Sequence, residues 1–126
     1  MEFPDRDPIY LQISRLLSER ILTGEWKPGD RVPSVRDLAT DLEVNPNTVA
    51  RTFQLLQDSG VFENRRGVGS FVAEGARDLV VAQARARMED QELPRVFQAL
   101  AALGISPADL THLYETYLTQ KQEYLR

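Results

Sequence analysis

The chain has 126 residues, 42% of them hydrophobic and 27% charged, enough for one ordinary domain or a small domain with an appendage. It contains no cysteine, which excludes disulfides and Cys-based zinc or catalytic sites, and no apolar run approaches the length that spans a bilayer. The formal net charge is −4 and the pI near 5.0, a balance opposed to polyanion binding unless the charge is segregated.

In chain order, residues 1–7 are expected to be loose. Met1 to Pro8 is polar and lacks the apolar core of a signal peptide, so a cytoplasmic location is expected. Pro8 opens a helix with Asp7 as its cap. Ile9, Ile13, Leu16, Leu17 and Ile21 follow the spacing of a buried helical stripe, and Gly24 ends it. Tyr10 reads as a packed aromatic. Trp26 to Pro33, with two prolines and a glycine, reads as an ordered turn beneath which Trp26 plugs the core, a ligand-stacking role being the alternative for it.

Two helix starts follow, separated by a tight turn. Ser34 is a good N-cap, and Asp37 three residues later can return a hydrogen bond to it. Leu38, Ala39 and Leu42 keep helical spacing, and Glu43-Val44 leaves only a short connection. Asn45 repeats the capping signal, with Pro46 at the first helical position, where a missing N–H costs nothing. On a wheel of about 100° per residue, Val49, Phe53 and Leu56 fall on one side, and Asn47, Arg51 and Gln54 on the other. The outline is a helix-turn-helix whose second helix enters the DNA major groove. Arg can grip guanine, Asn or Gln can grip adenine, and Thr48 can reach a phosphate or a thymine methyl. For an isolated amphipathic helix, a solvated face would explain the same residues. Two capped helices at this separation with a hairpin behind them favour the DNA reading.

The hairpin runs from Gly60, suited to a left-handed helix end. Val61-Phe62 and Phe71-Val72 are short β-prone runs, and Asn64 to Gly69 is turn-rich. A winged helix-turn-helix results, with Arg65 and Arg66 placed to touch phosphate or minor groove. Gly67 and Gly69 would let the backbone approach a duplex closely. A Gly-x-Gly could also cradle a nucleotide phosphate, but the wider dinucleotide fingerprint and the Lys-Ser/Thr of a P-loop are missing.

Residues 73–77 read as a linker, giving a DNA-binding domain over 1–74 and a two-helix region over 75–126. Asp78 is expected to cap a helix running to about Leu103, kinked or split by Pro94. Leu93, Val96, Phe97, Leu100 and Leu103 make a coiled-coil-like seam. Gly104 stops this helix, and Ser106-Pro107-Ala108-Asp109 starts the last, with Ile105 and Leu110 at staple positions. Leu110, Leu113, Tyr114, Tyr117 and Leu118 line one face. Two short helices this apolar need another surface to cover them. A second copy of the chain is the economical choice, and folding back on the wing domain is the alternative. Phe97, Tyr114 and Tyr117 would also suit a small-molecule site at that interface, though packing explains them equally.

The motifs Pro8-Ile9-Tyr10-Leu11-Gln12-Ile13, Gly24 to Ala39, Val44 to Thr52 and Gly67 to Val72 together resemble the GntR family of bacterial transcription regulators. The opening Pro-Ile-Tyr and the Asn-Pro-Asn-Thr-Val form of the second helix resemble its YtrA subgroup. That resemblance implies a mainly α fold with a small β-hairpin wing, a short helical C-terminal dimerisation region and no large ligand-binding domain. It implies that Arg36, Asn47, Thr48, Arg51 and the wing from Arg65 to Gly69 meet DNA; Gln54, placed beside Asn47 and Arg51 by the wheel, and the caps Ser34 and Asn45 are expected at the same surface. The leading expectation is a repressor acting as a homodimer on a palindromic operator, and a transporter gene alongside its own would favour the YtrA-like role of controlling a nearby transport operon. Many family members carry arginine after the recognition-helix cap and at the position of Ala50. Here Pro46 and Ala50 stand there, so an operator sequence does not carry over.

Charge opposes this reading most directly. Residues 1–74 hold nine Lys/Arg against twelve Asp/Glu. A DNA binder of this composition must gather Arg36, Arg51, Arg65 and Arg66 on one face, with Asp5, Asp7, Glu19, Glu25 and Glu43 mostly elsewhere. The same acidity suits a rival reading, a winged-helix module that binds protein. His112 lacks a metal-ligand motif around it, and no serine sits in a nucleophile elbow. No enzyme activity, cofactor or metal is expected, and the effector is unassigned.

Overall fold

The computed structural model describes residues 7–124, so the expectation of a loose start lies, apart from Asp7, outside the described residues. Those residues fall into two compact units divided between Ala84 and Arg85.

The first unit is built on three helices, α1 (Ile9–Leu22), α2 (Val35–Leu42) and α3 (Pro46–Asp58), followed by strands β1 (Phe62–Arg65) and β2 (Gly69–Val72). Helix α1 buries Ile13, Leu17 and Ile21, with Leu16 packed at the edge. Ile9, expected in the same stripe, is 44% exposed, because the first turn of the helix runs past the end of the core. Asp7 does not cap α1. Pro8 occupies the cap position without a side-chain bond, and its carbonyl accepts from the Leu11 and Gln12 amides at 3.0 and 3.2 Å. Asp7 lies one residue too early, and its carboxylate pairs with Arg15 instead.

The next two helices are capped by the residues expected, although Asp37 returns no bond to Ser34. Ser34 Oγ accepts from the Asp37 amide at 3.1 Å, and Asn45 Oδ1 accepts from the Asn47 amide at 2.8 Å. Between α2 and α3, Glu43 takes the left-handed conformation (φ 56°), a turn more often given to glycine. Leu38, Ala39 and Leu42 of α2 and Val49, Phe53 and Leu56 of α3 complete the helical core.

The hairpin is longer and its turn shorter than expected. Pairing runs from Phe62 opposite Val72 to Arg65 opposite Gly69, leaving only Arg66-Gly67-Val68 as the loop. Val68 donates to the Arg65 carbonyl at 2.9 Å, with Gly67 at φ 77° supplying the positive φ of that turn. Phe62 meets Phe53 edge-on, with centroids 5.3 Å apart, and Trp26 at 6.3 Å, which makes Trp26 the expected core plug.

Trp26 to Pro33 does more than turn. Pro28 and Gly29 (φ 88°) close a turn from Lys27 to Asp30, and the chain then runs beside β2. Gly29 donates to Val72, Val72 to Asp30 and Val32 to Ser70, at 2.8 to 2.9 Å, with Arg31 bridged to Phe71. The wing is thus anchored on a third extended segment.

Residues 73–77 are not a free linker. Ala73 donates to the Val61 carbonyl at 3.0 Å, and helix α4 (Ala76–Arg87) begins there, with Ala76 and Val80 fully packed in the core. Asp78 lies in its first turn and does not precede it. The two compact units therefore divide ten residues beyond the boundary expected at 74/75.

In the second unit, a π-helical turn (Met88–Glu92) precedes α5 (Leu93–Ala102), and α6 (Pro107–Tyr124) follows. The π turn is the form the Pro94 interruption takes: the Leu93 amide reaches the Met88 carbonyl, five residues back. At α6 the capping box is complete, Ser106 and Asp109 exchanging amide-to-side-chain bonds of 3.1 Å each. Ile105 and Leu110 are half-buried. Among the described residues, none beyond Val80 is fully buried.

Candidate nucleic-acid interface

Helix α3 has two unlike sides. Val49, Thr52, Phe53 and Leu56 are buried, while Asn47, Arg51 and Gln54 are exposed and Thr48 is half-buried. Thr52, which sequence spacing did not single out, lies within hydrogen-bond distance of the carbonyls of Tyr10 (2.8 Å) and Thr48 (3.2 Å). This ties the start of α1 to α3. Asn47, Thr48 and Arg51 then line, with Ile9 and Tyr10, an open concavity of about 350 Å³.

The polar residues on α3 differ in how they are held. The Arg51 guanidinium lies 3.9 Å from the centroid of the Tyr10 ring. Gln54 donates to Asp58 at 2.8 Å, which orients it along its own helix. Asn45 is engaged as a cap, and so is Ser34 at the start of α2. Arg36, on the first turn of α2, is exposed.

On the wing, Arg65 is less available than its position suggests. It lies 4.1 Å over the Phe71 ring and 3.9 Å from Glu63. Arg66 and Gly67 are exposed in the loop. Gly69 (φ 146°) faces Arg31: a Cβ there would stand 3.0 Å from its Nε, so the absent side chain makes room for that guanidinium. Arg31 was hidden from sequence reasoning because the segment carrying it has no periodicity. Only the backbone pairing with β2 brings it beside the wing.

Among the described residues, Arg31, Arg36, Arg51 and Arg66 have no carboxylate within ion-pair distance. Of the acids expected elsewhere, Asp7 pairs with Arg15 and Glu25 reaches Arg20 at 4.0 Å, while Asp5 lies outside the described residues. Asp37 and Asp41 on α2, Asp58 on α3 and Glu63 on β1 are acids that do share the arginine-bearing elements. His112 is exposed on α6, and no group of three or more His, Asp or Glu among the described residues is placed to hold a metal. No helix among them is long and apolar enough to cross a membrane.

Two capped helices with a split second helix, backed by an anchored hairpin, define a winged helix-turn-helix protein. Residues 9–72 match the family described as "Bacterial regulatory proteins, gntR family". The chain is 34% identical over 116 residues to the uncharacterized HTH-type transcriptional regulator YhcF of Bacillus subtilis, covering 92% of this chain and 94% of that one. It is 40% identical over 84 residues to the HTH-type transcriptional repressor YtrA of the same organism, covering 67% and 65% respectively. A GntR family transcriptional regulator from Listeria monocytogenes superposes with a TM-score of 0.71 at 32% identity, over 90% of this chain and 98% of that one. The DNA-binding domain of AraR in complex with operator ORX1 is similar over 58% of this chain and 92% of that one, with a TM-score of 0.53 at 25% identity. The chain belongs to the GntR family, with relatives of the YtrA type, and is a DNA-binding transcription regulator.

Proposed function

We propose that this regulator is a homodimeric repressor of a palindromic operator. The observation that carries the reading is the division of α3: one side is held in its own core, while Asn47 and Arg51 stand exposed without carboxylate partners. Such a helix can lie in the major groove with its donors on base edges. In this reading Asn47 and Arg51 read bases, Gln54 joins them when it leaves Asp58, and Thr48 meets a phosphate or a thymine methyl. Ser34, Arg36 and Asn45, at the starts of α2 and α3, approach phosphates, where helix N-termini favour negative charge. Arg65, Arg66, Gly67 and Gly69 follow the backbone or the minor groove.

The DNA-binding role belongs to the unit that ends at Ala84, which takes in the start of α4, and dimerisation to the unit from Arg85 onward, in place of the division at 74/75 expected from the sequence. The latter role is supported by apolar side chains that the single chain leaves open. Phe97, Leu113, Tyr114 and Tyr117 are at least half exposed and Val96 nearly so, beside half-buried Leu93, Leu100 and Leu110. A two-fold pair of such surfaces would present two recognition helices to two half-sites. Repression is supported by the name of the YtrA relative, a transcriptional repressor; promoter occlusion as its means, and control of a transport operon, extend that reading. Action on DNA in the cytoplasm follows from the same reading.

Selection from a pool of random duplexes at low salt tests it. The wild-type protein is expected to enrich one two-fold symmetric sequence. Arg51→Ala is expected to lose roughly fivefold to a hundredfold in affinity and relax one position per half-site. Failure of the wild type to enrich any sequence would falsify the operator reading.

A further inference from the structure

We propose that Tyr10 is a positioning residue for sequence readout, its ring holding the Arg51 guanidinium in the orientation that meets a base. The inference rests on the reading of Arg51 given above and adds a residue from a different helix to it. Three observations carry it. The guanidinium lies 3.9 Å from the ring centroid, at stacking distance. The backbone beneath the ring is fixed to the recognition helix, since Thr52 Oγ1, fully buried, is 2.8 Å from the Tyr10 carbonyl. Ring and guanidinium also share one concavity with Asn47 and Thr48, so the stack sits among the polar residues of α3 and not behind them.

The chemistry of arginine makes such a stack useful. Its attraction to an aromatic face uses the face of the guanidinium plane, while the N–H donors point outward in that plane. A stacked arginine therefore keeps the fork that grips guanine O6 and N7. It also loses fewer rotamers on binding, because the free protein already holds them. Ile9, 44% exposed, lines the same concavity. A lysine at position 51 could sit over the ring but would lack the fork.

The experiment compares Tyr10→Leu, Tyr10→Phe, Arg51→Ala and the Tyr10→Leu/Arg51→Ala double variant on the selected operator, on operators changed at each position, and on an unrelated duplex. Tyr10→Leu is expected to weaken operator binding about three- to tenfold and to relax the same position that Arg51→Ala relaxes, leaving the unrelated duplex unaffected. Tyr10→Phe, which keeps the ring, is expected within about twofold of wild type. The double variant is expected to match Arg51→Ala, as residues acting through one contact are non-additive. Additive losses, equal losses on every duplex, or a Tyr10→Phe loss as large as that of Tyr10→Leu would overturn the proposal. If Arg51→Ala binds the selected operator as wild type does, the base-reading role of Arg51 is what fails, and Tyr10 has nothing to position. Should Tyr10→Leu not fold, wild-type NMR decides: Arg51 side-chain protons shifted upfield by the ring support the stack, and unshifted ones overturn it.

Discussion

At the tip of the wing, Arg65 lies over Phe71 with Glu63 at 3.9 Å, whereas Arg66, one residue on, has no carboxylate partner. An exposed ion pair of this length contributes little to stability, but it sets which arginine is free to neutralise a phosphate. Arg66→Ala is expected to weaken binding evenly across sequences and to reduce the slope of log K against log salt by about 1 per protomer. Arg65→Ala is expected to change the slope less, and Glu63→Gln to tighten binding by releasing Arg65. A salt titration of the three variants checks this, and equal slopes for the two arginines would sink it. Much of this detail was beyond sequence reasoning. The two arginines were legible as wing cations, but their difference depends on strand register, which puts Glu63 opposite Phe71 and both within reach of Arg65. Arg51 was legible because helical spacing fixes its side of α3. Its stack on Tyr10 was not, because no local pattern links residues 41 positions apart.

Among the elements, those announced by chemistry at their ends were the ones legible in sequence. Ser34, Asn45 and Ser106 each cap a helix, and Gly24, Gly60 and Gly104 take positive φ where a helix has stopped. Elements created by tertiary pairing were not legible. The extended segment at Gly29 to Val32 exists because β2 supplies its partners, and α4 starts early because Ala76 and Val80, one turn apart, fill a gap in the core. Pro94 is an intermediate case: its effect was expected, its form was not. Lacking an amide and clashing with the preceding turn, it is accommodated by one wide π turn, which also brings Arg87 and Glu92, five residues apart, to 3.5 Å. Pro94→Ala is expected to restore ordinary α spacing across Met88–Glu92. Proline costs about 3 kcal/mol against alanine in a helix interior, but the π turn has absorbed part of that. A local gain of about 1 kcal/mol is therefore expected, seen as roughly fivefold slower amide exchange over residues 88–93. Unchanged exchange would mean that the ion pairs, not the proline, hold the wide turn.

For the whole molecule, the unequal distribution of burial matters most. The unit that ends at Ala84 contains every fully buried residue among those described, while α5 keeps Phe97 at 50% exposure, Leu103 at its C-terminal end is 75% exposed, and α6 keeps Tyr114 at 60%. Covering a large apolar side chain stabilises by about 1.5–3 kcal/mol, so two copies sharing these faces would gain much from pairing. The same pairing would make the second half-site contact intramolecular, which raises affinity by roughly 10²–10⁴ without any new protein–DNA contact. An acidic chain with few free arginines would depend on that gain more than a basic one does. Phe97→Glu combined with Tyr114→Glu is expected to give a monomer by sedimentation and to reduce affinity for the full operator by about a hundredfold or more. Affinity for a single half-site, and the melting temperature of the wing domain, are expected to stay as in the wild type. If the variant remained dimeric, the shared interface would lie elsewhere. If half-site binding fell with it, α5 and α6 would be supporting their own wing domain and not a partner's.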